Sequence, residues 1–157
     1  MAPEDKTARY RAITEEILSV VDGESDITAK MASVTCLLSR AFPHFYWTGF
    51  YNVDPAKGDE RVVGPYQGTL GCLRIPFGKG VCGTAAARRK TQVVADVHAF
   101  SNHIACDPKS ASEIVVPVFG KGGALIAVLD VDAAEKAAFD ETDAKHLEAL
   151  MKAVFSG

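Results

Sequence analysis

Apolar residues change their spacing along this chain near residue 45, from the intervals of three and four typical of helices to the runs typical of strands. Residues 4–21 place one apolar stripe on a predicted helix: Tyr10, Ile13, Ile17, Leu18 and Val21. Residues 25–43 repeat the pattern with Ile27, Met31, Val34, Leu38 and Ala41, and Pro43 ends this helix. Two helices therefore precede the strands.

Aromatic and β-branched runs follow. Residues 47–53 and 60–68 predict a β-hairpin around the turn-rich residues 54–60, and residues 92–97 predict a short strand. Residues 112–119 and 124–132 predict an antiparallel pair joined by GKGG. Between the two sets, residues 81–89 predict a short helix, and a final helix has Asp140 as its N-cap. The order predicts an α+β fold, a central antiparallel sheet with helices on one face.

The length fits one domain, which we expect to span residues 1–157. Its parts are a helical N-terminal segment at 4–42, the sheet and its loops at 45–132, and a C-terminal helix at 140–155. The formal net charge of -3 and the scattered basic residues exclude nucleic acid as a partner. No apolar stretch is long enough to span a membrane, and the N-terminus is too charged for a signal peptide. We expect a cytoplasmic protein.

Four cysteines, Cys36, Cys72, Cys82 and Cys106, are the first candidates for chemistry. A reducing cytoplasm argues against permanent disulfides. Structural zinc sites usually separate paired cysteines by about two to four residues, and no two cysteines here lie so close. We expect neither a metal nor a cofactor, which leaves buried thiols, reactive thiols or both.

Cys106 lies in the irregular segment 98–112, and loops of this length in a compact domain are usually functional or disordered. Polar neighbours favour a partly exposed thiol over a small buried hydrophobe. Cys72 lies in a glycine-flanked stretch that can approach another segment closely. Cys82 follows the start of the short helix, where either the helix dipole or burial sets its pKa. We assign Cys36 to the core.

Three carboxylates stand in strands otherwise made of valine, isoleucine and leucine: Glu113, Asp130 and Asp132. Burying an unpaired carboxylate costs several kcal/mol. Asp130 and Asp132 alternate with apolar residues and so share one face of their strand. Two interpretations stay open, a ligand site that takes a cation and a solvent-facing strand end with a lysine nearby. Trp47, the single tryptophan, suits either the core or the wall of a small apolar pocket.

Five motifs in one order resemble the free methionine-(R)-sulfoxide reductases, a family built on the small-ligand-binding GAF domain. They are YWTGFY (46–51), GPYQGTLGCLRIPFGKGVCGTAA (64–86), HIACD (103–107), SEIVVPV (112–118) and VLDVD (128–132). The resemblance covers about residues 30–135. Ser101 and Asn102 stand where we expect Pro-Gly, which affects the shape of one loop.

The resemblance implies a role for each cysteine that the motifs contain. Cys106 would attack the sulfoxide sulfur, and Cys72 would resolve the resulting sulfenic acid as a disulfide. Cys82 would have an auxiliary role, and whether Cys72 or Cys82 is the main resolver stays open. Thioredoxin would be the reductant, and a homodimer is an open alternative to a monomer.

The resemblance also implies the substrate-site residues: Glu113, Asp130, Asp132, Trp47, Tyr51 and Ile104. The chemistry agrees, because thiolate attack on a sulfoxide needs an acid to protonate the oxygen, and Glu113 is the candidate. Asp130 and Asp132 would bind the α-ammonium of a free amino acid, which a methionine inside a protein lacks. The expected activity is therefore reduction of free methionine-(R)-sulfoxide.

Two alternatives belong to other functional classes. One is a non-catalytic GAF sensor of a small molecule, for which Cys72 and Cys106 are unnecessary. The other is a thiol redox sensor without a small substrate, for which the carboxylates are unexplained. Turnover separates the enzyme from the first alternative, and binding of free methionine separates it from the second.

Overall fold

The computed structural model describes residues 2–76, 78–100 and 107–157, without the side chains of Pro3 and Asp59. Its helices are α1 (Pro3–Val21), α2 (Ile27–Ala41), α3 (Gly80–Arg88) and α4 (Glu141–Phe155). Its strands are β1 (Trp47–Asp54), β2 (Lys57–Gln67), β3 (Arg74–Pro76), β4 (Gln92–Val94), β5 (Ser112–Phe119) and β6 (Leu125–Ala133). Two 3₁₀ turns, Val97–Ala99 and Lys121–Gly123, complete the described elements.

The six strands form one sheet in the order β3-β2-β1-β6-β5-β4, and all neighbours are antiparallel. Both predicted strand pairs are confirmed, β1 with β2 and β5 with β6. β2 begins at Lys57, inside the stretch predicted as a turn, which leaves a tighter connection than expected. β3 was not predicted, because a three-residue strand is too short to show a period.

Side chains of the central strands alternate between two apolar clusters. Ile114, Val116 and Leu129 belong to the cluster that includes side chains of α1, α2 and α4. Val115 and Val128 belong to the second cluster, beneath α3. The prediction that all helices pack on one face of the sheet is therefore wrong. α3 packs on the opposite face, where its apolar side chains are buried. The face beneath α3 also carries the candidate site.

The first and last helices, α1 and α4, pack against each other. Lys6 Nζ lies 2.7 Å from Asp143 Oδ2 in a buried ion pair, and the Tyr10 hydroxyl donates to Asp143 Oδ1 at 2.6 Å. Asp140 caps α4 as predicted, with a reciprocal hydrogen bond between its backbone N–H and the Asp143 side chain. None of the described helices is both long and apolar enough to cross a membrane.

The assignment of Cys36 to the core is wrong. Cys36 is a half-buried free thiol, whereas Met31, Val34 and Leu38 are fully buried. At about 100° per residue, Cys36 lies roughly 140° around α2 from Met31, away from the apolar stripe. Ile27, at the first residue of α2, is also exposed, because the stripe makes contact with the sheet only one turn later.

Candidate active site

The pairing of β5 with β6 brings the three strand carboxylates together. Glu113 is the register partner of Asp132, and Val115 is the partner of Asp130. All three carboxylates therefore face the α3 side of the sheet, as the alternation predicted for the two aspartates. β1 lies on the other side of β6 and brings Trp47 opposite Asp132.

A pocket opens over this part of the sheet. Its lining includes six of the residues predicted for the site: Trp47, Tyr51, Cys82, Glu113, Asp130 and Asp132. The remaining lining residues come from α3, from the segment that joins β2 to β3, from β3 and from the loop before β5: Thr69, Leu70, Gly71, Ile75, Gly80, Val81, Asp107 and Ser110. The elements of one sheet face thus converge on a single acidic pocket.

Among the described residues, the carboxylates of this pocket have no cationic partner, and Glu113 and Asp130 are buried while Asp132 is half-buried. Glu113 and Asp130 are only 6% and 5% exposed, and no ion pair among the described residues includes either of them or Asp132. Asp130 Oδ1 has no hydrogen-bond partner within the described part of the chain. The alternative of a solvent-facing strand end beside a lysine is therefore wrong for Asp130, which is buried and has no ion-pair partner among the described residues.

Burial raises the pKa of all three carboxyl groups. For Glu113 and Asp132 the negative charge of Asp130 raises the pKa further. At least one proton is therefore retained in this group of acids at a pH where exposed carboxyls are ionised. The pocket can supply a proton, and it attracts a cation.

Cys82 lies against the carboxylates at the base of the pocket. Its thiol is 3% exposed and lies 3.9 Å from Glu113 Oε2. Burial, followed by the charges of Asp130 and Glu113, raises the pKa of the Cys82 thiol. Burial therefore outweighs the helix dipole, and Cys82 is held as a neutral thiol.

Ligand atoms of Cys82, Glu113 and Asp130 lie within 4.8 Å of one another, a spacing at which one metal ion could contact all three. The spacing of cysteines along the chain does not reveal this group, because the sheet brings a thiol from α3 to carboxylates on two strands.

Cys72 lies in the segment between β2 and β3, and it is half-buried and disulfide-bonded. The neighbouring Gly71 allows this segment to pass close to the aromatic wall. A Cβ at position 71 would lie 2.9 Å from the Trp47 ring and 3.2 Å from the Tyr51 hydroxyl. The close approach predicted for this glycine-flanked stretch is confirmed.

Trp47 and Tyr51 form the aromatic wall of the pocket. Both side chains are buried, and their rings stack with centroids 5.7 Å apart. Trp47 Nε1 donates to the Thr69 carbonyl oxygen at 2.8 Å, which fixes the ring against the Cys72 segment. Burial raises the pKa of Tyr51, with a further contribution from Asp130, so its hydroxyl stays protonated.

Asp107 connects three parts of the site, and sequence reasoning did not identify it. Its Oδ2 accepts hydrogen bonds from Thr69 Oγ1 at 2.6 Å and from the Tyr46 hydroxyl at 3.0 Å. Its Oδ1 accepts from the Lys109 N–H at 2.9 Å. These bonds, the one from Thr69 foremost, lower the pKa of Asp107. Its position beside Cys106 in HIACD was the available signal.

Cys106 and Ile104 lie outside the described residues, as do Ser101 and Asn102. The roles predicted for Cys106 and Ile104 therefore remain predictions. Asp107, the next described residue along the chain, places the C-terminal end of this loop at the pocket.

The raised pKa values of the three carboxyl groups predict how stability depends on pH. Because their pKa values are raised, the folded chain keeps protons that the unfolded chain releases above about pH 4. We expect the free energy of unfolding to fall as the pH rises from about 4 toward the raised pKa values. The expected slope is about 1.4 kcal/mol per pH unit for each retained proton.

Asp132→Asn removes one of these groups, so its stability should exceed that of the wild type near about pH 8 and depend less on pH. Urea unfolding of both proteins across this range measures the difference. Asp22→Asn, at the exposed C-cap of α1, is the control and should follow the wild type. Equal slopes for Asp132→Asn and the wild type would contradict the expected proton retention.

Comparisons with known proteins identify the family of the chain. A GAF domain family model matches residues 33–154. The free methionine-R-sulfoxide reductase of Escherichia coli is 40% identical over 147 residues, which cover 94% of this chain and 87% of that protein.

Two solved structures are similar over nearly the whole chain. One is the free methionine-R-sulfoxide reductase of Neisseria meningitidis in complex with its substrate, at 50% identity and a TM-score of 0.90, covering 95% of this chain and 87% of that chain. The other is the reduced form of the fRMsr of Staphylococcus aureus, at 44% identity and a TM-score of 0.87, covering 93% of this chain and 92% of that chain. The chain is therefore an α+β GAF domain that belongs to the family of free methionine-R-sulfoxide reductases.

Proposed function

We propose that this protein reduces free methionine-R-sulfoxide to methionine, with cysteine thiols as the reductant. The observation that carries the proposal is a group of three buried or half-buried carboxyl groups beside an aromatic wall, without a cationic partner among the described residues. The family supports it, because relatives with this activity in their names match 85% or more of the chain. A redox sensor without a small substrate would leave the carboxyl groups unexplained.

Recognition of a free amino acid rests on its α-ammonium group. Asp130 and Asp132 face the pocket from one strand, and Asp130 Oδ1 lacks a hydrogen-bond partner within the described residues. An ammonium placed between them would offset their repulsion and satisfy that oxygen. A methionine within a peptide chain has an amide in place of this cation. The acidic pocket therefore favours the free amino acid.

The apolar end of the substrate needs a complementary wall. Trp47 and Tyr51 supply buried aromatic surface beside the carboxyl groups. We propose that the S-methyl group lies against this wall and that Ile104 adds to it. An aromatic wall with a few directed polar groups is typical of small-molecule sites.

The chemical step in our proposal begins with Cys106. Its thiolate attacks the sulfoxide sulfur, the S–O bond breaks, and the oxygen ends on the cysteine as a sulfenic acid while methionine leaves. Glu113 would give a proton to the oxygen as it leaves. Burial and the Asp130 charge raise the pKa of Glu113, which suits a group that must hold a proton near neutral pH.

Cys72 is the resolving cysteine in this proposal. Its thiol condenses with the sulfenic acid, so that water leaves and a disulfide between Cys72 and Cys106 forms. Two observations favour Cys72 over Cys82: Cys72 is half-buried and disulfide-bonded, whereas Cys82 is fully buried as a free thiol of raised pKa. Cys82 then helps to hold Glu113. Thioredoxin, in the cytoplasm, would return the disulfide to two thiols.

Asp130→Asn tests the ammonium site. Loss of one charge-assisted hydrogen bond should weaken binding of the free amino acid by roughly 1.5 to 3 kcal/mol, or about ten- to a hundredfold. The same result is expected for Asp132→Asn. KM and kcat in an assay driven by dithiothreitol measure this, and single-turnover chemistry at saturating substrate should survive.

N-acetylmethionine sulfoxide, which lacks the ammonium, is the matched control substrate. It should be a poor substrate of the wild type and should lose little more in either variant. If the wild type reduces it as efficiently as the free amino acid, the carboxyl groups do not recognise an ammonium and the proposed specificity is wrong.

A further inference from the structure

Two leucines beside the disulfide-bonded Cys72 are far more exposed than any other large apolar side chain that the structure describes. Leu70 is 81% exposed and Leu73 is 72% exposed, and Val20 follows at 56%. A single exposed leucine is common on protein surfaces. Two of them within one short segment around a redox-active cysteine indicate a surface that contacts something else.

The chain segment that carries the two leucines contains no charged side chain of its own. Residues 62–73 include no acidic or basic side chain. Arg74, the next residue, is paired with Asp54 and Glu60 and so has carboxylate partners of its own. A partner that fits the two leucines therefore has an apolar contact region.

We propose that Leu70 and Leu73, named here the leucine rim, are the docking surface for the dithiol protein that reduces the Cys72 disulfide. The inference rests on the proposed function and adds to it the place and character of the partner's contact. The partner is a dithiol redox protein whose reactive cysteine lies within an apolar surface.

The chemistry of disulfide reduction requires contact at this point. The partner's thiolate attacks Cys72 Sγ, forms a mixed disulfide and releases the Cys106 thiolate. The partner's second thiolate then attacks the partner's own sulfur in the mixed disulfide. The partner is thereby oxidised to an internal disulfide, and Cys72 is released as a thiolate that takes up a proton. Because Cys72 is half-buried, only a surface that seats on its flanking residues brings a protein thiolate within bonding distance.

Leu73→Asp is the decisive variant, because Leu73 does not line the substrate pocket and its side chain is mostly in solvent. The oxidised full-length protein is mixed with reduced thioredoxin or with dithiothreitol, and the appearance of free protein thiols is followed without any sulfoxide. We expect the second-order rate constant with thioredoxin to fall by roughly tenfold or more, as for an interface hot spot. The rate with dithiothreitol should stay within about twofold of the wild type.

Val20→Asp is the matched control, an exposed apolar residue on α1 given the same charge. It should leave both rates unchanged. Leu70→Asp is a second variant for this assay alone, since Leu70 also lines the pocket, and it should reproduce the selective loss.

Three results would overturn the proposal. One is an equal fall in the rate of disulfide reduction of Leu73→Asp with thioredoxin and with dithiothreitol, which would assign the leucines to the packing of their own segment. Another is a rate of disulfide reduction that does not change with either reductant. The third is a wild-type dimer that Leu73→Asp converts to a monomer in light scattering, which would assign the leucine rim to a second copy of the chain. Because the assay contains no sulfoxide, failure of the proposed activity would appear separately, as absent turnover of the wild type with dithiothreitol.

Discussion

Cys106→Ser is expected to abolish reduction of free methionine-R-sulfoxide, both in steady state and in a single turnover. An alcohol is not appreciably ionised at neutral pH and is a poor nucleophile toward sulfur, so no methionine should form even in the first cycle. Methionine release measured by chromatography, with enzyme in excess over substrate, detects one turnover. Binding of the substrate should persist, because the carboxyl groups and the aromatic wall are unchanged.

Cys36→Ser is the matched control for the nucleophile. Cys36 is a free, half-buried thiol on α2, on the other side of the sheet from the pocket, so this variant should keep the wild-type rate. Methionine release by Cys106→Ser at more than a trace of the wild-type rate would move the nucleophile to another cysteine. Cys82 would then be the first to test, because it lines the pocket.

Cys72→Ser should release about one methionine per enzyme and then stall. Without the resolving thiol, the sulfenic acid on Cys106 has no partner that completes the disulfide, and a probe specific for sulfenic acids should label it. Turnover driven by thioredoxin should fall to roughly one hundredth of the wild-type rate or less. A burst of methionine followed by a flat line is the expected trace.

Cys82→Ala provides the comparison for the resolver. If Cys72 resolves the intermediate, this variant should turn over repeatedly, although the loss of the thiol beside Glu113 should alter its rate. Sustained thioredoxin-driven turnover by Cys72→Ser, together with a stall in Cys82→Ala, would reverse the two roles.

Much of the fold could be predicted because its signals are local. The stripes of α1 and α4, the Asp140 cap and the two strand pairs depend on residues close together in the chain. The position of α3 on the opposite face could not be predicted, since an apolar helix fits either side of a sheet whose two faces are both apolar. The exposure of Cys36 was available from helical geometry, which is more reliable than an apolar neighbourhood such as TCLL.

The part of the site that depends on strand pairing could also be predicted from the sequence. Asp130 and Asp132 share a face because strands alternate, and Glu113 joins them because β5 and β6 form the predicted hairpin. The contact of Cys82 with Glu113 depends on how α3 packs against the sheet, which no local pattern encodes. The Asp107 bonds to Thr69 and Tyr46 are equally long-range, and a polar loop residue gives no sign of such partners.

The most direct test of the proposed activity is a coupled assay with NADPH, thioredoxin reductase and thioredoxin. The wild-type protein is offered free methionine-R-sulfoxide, free methionine-S-sulfoxide and an oxidised peptide in separate reactions. Our proposal predicts NADPH oxidation with the free R epimer alone, because the acidic pocket selects the α-ammonium and the aromatic wall holds one arrangement of the groups on sulfur. Turnover of the peptide at a comparable rate, or no turnover of the free R epimer, would contradict it.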